Sequence, residues 1–254
     1  MDDVIVKALH CIEKDHNVKT ILACESGSRA WGFPSDDSDY DVRFIFVNQK
    51  DWYLSIADKR DVIELPVDDL LDVNGWDLKK ALHLMRKSNS PLLEWLSSPI
   101  QYHVWPEAFN RLFKLSKMAF MPETSCYHYL SMAKKKVEQF KENERVKLKT
   151  YMYAIRSTLC CEWIIKNMEQ PPMHIDNLLA EITDDLQFKD QVNRLIAQKK
   201  AHTEKFTVER SEVIENYINQ KIIELQDNIP DNPSKLGMDL FDDVFRSILE
   251  DSNK

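Results

Sequence analysis

The chain has 254 residues, 43% hydrophobic and 30% charged, which describes a folded globular protein with enough length for one large core or two small ones. A formal net charge of −8 excludes a protein that coats polyanions through bulk basicity, while leaving room for a local basic groove. No apolar run is long enough to cross a bilayer, MDDVIVKALHC has no signal-peptide pattern, and the five cysteines lack metal-site spacing, so the expected setting is the cytosol with free thiols.

Residues 2–14 place Val4, Ile5, Ala8, Leu9 and Ile12 at helical spacing behind two acids, an amphipathic helix. Lys19-Thr20-Ile21-Leu22-Ala23-Cys24 reads as a buried strand that runs into Glu25-Ser26-Gly27-Ser28. The chain has only four glycines, and Gly27 and Gly32 fall within six positions of each other. Gly27 permits a tight turn and a close approach to a ligand, and a helix beginning near Ser28 offers N–H groups and a hydroxyl to phosphate. Arg29, directly after Gly-Ser, is placed to reach a phosphate group bidentately. The next strand, Val42 to Val47, is headed by Asp39-Tyr40-Asp41. Alternation along a strand puts Asp39 and Asp41 on one face, where paired carboxylates need a cation, and hard oxygens suit Mg²⁺ or Mn²⁺. Arg43 falls on the same face and is suited to holding the aspartates in place.

Taken singly, Gly-Ser and Asp-x-Asp are ordinary turn chemistry; order and spacing between two apolar strands carry the argument. The arrangement resembles nucleotidyltransferases of the DNA polymerase beta type. The resemblance implies a third carboxylate on a neighbouring strand, flanked by hydrophobic residues. A strand over 61–66 and another over 69–78 follow a short helix at 51–56. Leu71-Asp72-Val73 is the first candidate for the third acid, Trp76-Asp77-Leu78 the second and Ile63-Glu64-Leu65 the third. Asp77 also reads as the N-cap of a helix over 78–87. Lys79 and Lys80 open that helix, and Lys80 is a candidate phosphate contact.

Pro91 begins another helix, LLEWLSS. Together, ESGSRAWGFPSDDSDYDVRFIFV and GWDLKKALHLMRKSNSPLLEWLSSPIQY are similar to the RNA repair pathway DNA polymerase beta family, and the similarity reaches Lys149 to Arg156. It implies a nucleotidyltransferase whose co-substrate is a nucleoside triphosphate. Asp39, Asp41 and Asp72 would be its metal ligands, with Asp77 a further candidate among the catalytic acids. Gly27, Ser28, Arg29 and Lys80 are the nucleotide-binding candidates. RNA is the first acceptor class. A protein or small-molecule acceptor, as in toxin–antitoxin or aminoglycoside enzymes, is the alternative, and a non-catalytic nucleotide-binding module the other.

From residue 107 the chain reads as helical, with segments at 107–118, 124–141, 147–167, 177–186, 188–199, 207–226 and 238–249. Lys134-Lys135-Lys136, with Lys141, Arg145, Lys147 and Lys149, is the most basic run and suits an acceptor nucleic acid. Tyr151, Tyr153 and Arg156 lie at spacings of two and three on one helix, with Tyr153 and Arg156 on a shared face. The resemblance implies that an aromatic there could stack a base, while a core tyrosine with a satisfied hydroxyl is the reading that burial behaviour favours. The last helix is expected to dock back on the helical bundle, with dimerisation the alternative. The expected fold is α+β: a minimal nucleotidyltransferase mixed sheet with helices over residues 1–105, then a helical lobe over 106–254.

Overall fold

The computed structural model describes residues 1–66, 70–141 and 144–253, without the side chain of Lys141. The chain begins α1 (Asp2–His16), β1 (Val18–Ser26), α2 (Gly27–Trp31) and β2 (Tyr40–Asn48). It continues through α3 (Lys50–Tyr53), β3 (Val62–Glu64), β4 (Leu71–Asp77), α4 (Leu78–Met85), α5 (Ser90–Leu96) and β5 (Gln101–Val104). Then come α6 (Pro106–Met118), α7 (Pro122–Lys141), β6 (Arg145–Lys147), α8 (Leu148–Asn167), α9 (Ile175–Ile182) and α10 (Leu186–Ala201). Last are β7 (Thr207–Glu209), α11 (Glu212–Asp227) and α12 (Met238–Ser252). The fold is α+β, and none of the described helices is long and apolar enough to cross a membrane.

Two compact units emerge, and they do not follow a single cut at 105. The first comprises Met1–Gly27, Asp39–Phe120 and Ser234–Lys254; the second comprises Ser28–Ser38 and Met121–Pro233. Helix α6 and helix α12 belong to the first because their apolar faces bury there, through Ala108, Leu112, Leu115, Phe241 and Ile248.

In the first unit a five-stranded sheet has the order β3-β4-β2-β1-β5. Strands β2 and β4 run parallel, and the other pairings are antiparallel. Alternation along β2 divides its side chains between two cores. Val42, Phe44 and Phe46 meet Ile5, Leu9 and Ile12 of α1. Ile45 and Val47 meet Leu78, Leu82, Trp95 and Leu112 on the other face. Helix α1 stops at Asn17, which takes the left-handed conformation (φ 52°) that ends many helices. Gly75 lies opposite Phe44 in the β2–β4 register, and a Cβ there would come within 2.2 Å of the Phe44 ring.

Strand β5 is absent from the sequence expectation, since QYHV is only four residues long and its definition comes from β1 beside it. The expected strand 61–66 shortens to Val62–Glu64, and the strand expected from Asp69 begins at Leu71; Asp69 lies outside the described residues. Asp39 directly precedes β2 instead of lying in it.

The second unit is helical apart from the β6–β7 ribbon, which takes up residues 207–209 that helical periodicity assigns to α11. Helix α8 is central, packing against α7, α9, α10 and α11. Tyr151 is buried in it, donating its hydroxyl to Glu215 at 2.6 Å and accepting from the Ser211 N–H at 3.0 Å. Buried Glu162 accepts from the Tyr217 hydroxyl at 2.9 Å and faces Lys221 at 3.3 Å. Burial raises its pKa against the pull of that ammonium and phenol.

Two substitutions test this packing. Gly75→Ala forces the Phe44 ring aside and is expected to cost about 1–3 kcal/mol in urea unfolding. Phe241→Ala, which opens a cavity under α12, is expected to cost roughly 3–5 kcal/mol in the same measurement.

Candidate active site

The parallel pairing of β2 and β4 sets Asp41 directly opposite Asp72. Both face the side of the sheet that carries Ile45, Val47 and Trp76, because each is an odd number of residues from the Val42–Val73 pair buried on the other side. Arg43, two residues on from Asp41, reaches between them. Its Nη2 lies 3.0 Å from Asp41 Oδ1 and 2.7 Å from Asp72 Oδ2, while Nη1 donates to the Asp72 carbonyl at 3.0 Å. The three side chains are 33%, 34% and 18% exposed for Asp41, Asp72 and Arg43, so this is a charged cluster open to solvent.

Behind Asp41 stands Glu25, fully buried on β1. Its carboxylate accepts the Asp41 N–H at 2.8 Å and the Tyr102 hydroxyl of β5 in a short contact. Burial and the adjacent Glu25 push the Tyr102 phenol well above its ordinary pKa. The carboxylate thus fixes the backbone at Asp41 from inside the sheet. Gly27 completes the corner. Its φ is +65°, and a Cβ would sit 2.3 Å from Asp41 Oδ2, so only glycine allows the turn and the carboxylate to coexist.

Asp39 is exposed just before β2, where the Tyr40 N–H pairs with the Leu70 carbonyl at 2.7 Å. The other acids lie elsewhere in this unit. Asp77 closes β4 five residues beyond Asp72, about 17 Å along an extended strand. It is fully buried and caps α4 by accepting the Lys79 N–H at 2.8 Å, and it also accepts from Asn48 Nδ2 at 2.8 Å and from the Tyr53 hydroxyl at 2.7 Å. Burial raises its pKa while these donors oppose the shift. Lys80 pairs with Asp61 at 2.9 Å and lines a cavity of about 320 Å³ with Trp52, Tyr53 and Asp77, so it is not gathered with Asp41 and Asp72. Glu64 is exposed on β3, held by Arg60 and by Asn74 Nδ2 at 2.8 Å.

Ser28 and Arg29 belong to the second unit. Ser28 is nearly buried and donates to Ser38 Oγ at 3.2 Å, and Arg29 Nη2 donates to the Ser38 carbonyl at 2.6 Å. Trp31 packs edge-on to Tyr153 at 5.0 Å and lies 4.4 Å from the Arg156 guanidinium. In the basic run, Lys135 and Lys147 are exposed, Lys134 donates to Gln226 at 2.8 Å, and Lys149 pairs with Glu204 at 2.8 Å. The Lys141 side chain lies outside the described residues.

The donor chemistry at Asp41 and Asp72 suits a hard divalent cation: adjacent carboxylate oxygens already converge on one positive group. Among the described residues, no three His, Cys, Asp or Glu side chains are gathered as a finished ligand set. Sequence reasoning missed Glu25 as a support for Asp41. The available signal was an acid inside an otherwise apolar strand directly before Ser-Gly.

The chain is 46% identical over 222 residues to the uncharacterized protein YcgL of Bacillus subtilis (strain 168), covering 87% of this chain and 85% of that one. A crystal structure of a nucleotidyltransferase-like protein from Exiguobacterium sibiricum 255-15 aligns with a TM-score of 0.31 at 11% identity, over 89% of this chain and 74% of the other. The family model described as the RNA repair pathway DNA polymerase beta family matches residues 1–247. The protein belongs to the RNA repair pathway DNA polymerase beta family.

Proposed function

We propose that the protein transfers a nucleoside monophosphate from a nucleoside triphosphate to an acceptor hydroxyl, releasing pyrophosphate, with RNA as the acceptor. The observation that carries the reading is the in-register pair Asp41 and Asp72 beside the Gly27 turn. Family membership supports the same class of reaction.

In this reading Asp39, Asp41 and Asp72 hold Mg²⁺ or Mn²⁺. Asp72 is the third acid, because it shares a face and a register with Asp41, whereas Asp77 is committed to capping α4. A divalent cation held there would offset the charge that develops on the α-phosphate. The acceptor oxygen bonds to the α-phosphorus, the bond to the bridging oxygen breaks, and pyrophosphate leaves with that oxygen. The acceptor proton passes to a carboxylate of the site or to solvent. Gly27 and Ser28 cradle the β- and γ-phosphates, with Arg29 as a clamp. Arg43 holds the two carboxylates at fixed separation, and Glu25 holds the strand under Asp41. Exposed Lys135, Arg145 and Lys147 support RNA over a small-molecule acceptor, since phosphate contacts rest on such cations.

The test supplies purified protein, Mg²⁺ or Mn²⁺, each NTP labelled at the α-phosphate, and pooled cellular RNA and protein. Label entering RNA is expected. Label entering protein would move the acceptor to that class.

Asp39→Ala with Asp41→Ala should give a folded protein without transfer. Asp72→Asn should lose roughly a hundredfold or more in turnover. Asp77→Asn should keep the reaction but lose about 1–3 kcal/mol of stability, since an amide nitrogen would then face either both Asn48 Nδ2 and the Tyr53 hydroxyl or the Lys79 N–H. Gly27→Ala should abolish transfer, read by the same label assay, because the added methyl displaces the Asp41 carboxylate.

A further inference from the structure

A lysine is seldom fully buried, since its ammonium must give up water. Lys199, on α10, is 1% exposed. Its Nζ donates to Ser35 Oγ at 2.7 Å, and the carboxylate facing it, Glu204, is 3.8 Å away. Ser35 Oγ lies 2.8 Å from Ser38 Oγ, and the Ser35 N–H donates to that same oxygen at 2.9 Å. Ser28 Oγ donates to Ser38 Oγ at 3.2 Å. A continuous chain of hydrogen bonds therefore runs from Lys199 through Ser35 and Ser38 to Ser28, entirely within the second unit.

A second strap closes beside it. Glu204 Oε1 accepts from Ser38 Oγ at 3.4 Å, and its Oε2 takes Lys149 at 2.8 Å. The Glu204 N–H donates to Asp37 Oδ1 at 2.9 Å. Arg29 ties the Ser38 carbonyl from the other side at 2.6 Å. Residues 35–38 are thus held by residues more than 160 positions later in the chain.

We infer that Lys199 is a positioning residue for nucleotide binding, fixing Ser35 and Ser38 so that Ser38 Oγ holds the Ser28 hydroxyl in place until its proton turns from Ser38 to the triphosphate. The inference rests on the proposed nucleotidyl transfer, in which Ser28 contacts phosphate. Lys199 itself has no room to touch a ligand, so it acts through the serines. An ammonium suits the role because it only donates: Ser35 Oγ is compelled to accept from it, and its own proton is directed elsewhere. Desolvation lowers the Lys199 pKa and the Glu204 carboxylate opposes this.

A double-mutant cycle reads the coupling. The affinities of α,β-methylene analogues of the four NTPs, with Mg²⁺, are measured for the full chain and for Lys199→Met, Ser28→Ala and the double variant. Each single change is expected to weaken binding of the preferred analogue about tenfold, the weight of one lost hydrogen bond. The double variant should bind no worse than Ser28→Ala alone. A further loss of about tenfold in the double variant makes the two effects independent and overturns the inference while leaving nucleotide binding intact. No binding of any analogue by the wild-type chain overturns the nucleotide reading, and this inference with it. If Lys199→Met does not fold, Ser35→Ala cuts the same chain one bond further along and replaces it in the cycle under the same two outcomes.

Discussion

Two carboxylates on neighbouring parallel strands, in register and on one face, are the constraint around which the first unit is arranged. Adjacent strands are about 4.8 Å apart, so Asp41 and Asp72 repel one another by an amount of order a few kcal/mol before solvent screening. Arg43 answers that repulsion locally, as a cation carried on the same strand. The rest of the corner serves the same pair. Glu25 pins the Asp41 backbone, Tyr102 covers Glu25, and the missing side chain at Gly27 leaves space for the Asp41 carboxylate. None of these groups would be placed by hydrophobic burial alone, and each sits where the apolar alternation of β1 and β2 ends.

The opposite end of β4 is built on a different principle. Asp77 is a carboxylate whose donors are all supplied by the protein: a helix N–H, an amide and a phenol. Burial raises its pKa and the three donors limit the rise. Asp72 remains partly in water beside a guanidinium. One strand therefore carries an acid suited to ligands and an acid suited to architecture, distinguished by what surrounds each.

Much of this was legible in the sequence, and the limits have physical reasons. The apolar run from Val42 to Val47 located β2, and the stripe through Phe241, Val244 and Ile248 marked α12 as a docking helix, because burial leaves a periodic trace. The seat of α12 in the first unit, where a place on the helical bundle was expected, is set by contacts distant in sequence. The cap at Asp77 followed from side-chain chemistry, as did a core tyrosine with a satisfied hydroxyl, although only the structure singles out Tyr151 for it. Strands β5, β6 and β7 were not legible, since three or four residues acquire strand form from the partner that hydrogen-bonds them. Lys199 falls on the apolar stripe of α10, four residues after Leu195 and three after Ile196, but a charged side chain there does not by itself announce burial. The partner that decides it is a serine 164 positions away.

The threading of the first unit has a consequence for its birth. Its sheet is complete by Val104, yet the cluster beneath it includes Phe241 and Ile248 of α12, and the whole of Met121–Pro233 intervenes. A nascent chain that has emerged only as far as β5 and α6 carries an uncovered apolar face and must hold it through the synthesis of more than a hundred further residues. Contacts that span such a separation are slow to close. Translation speed and chaperone supply then become determinants of how much protein matures, and a variant that weakens α12 would lower cellular yield well before it altered anything at Asp41.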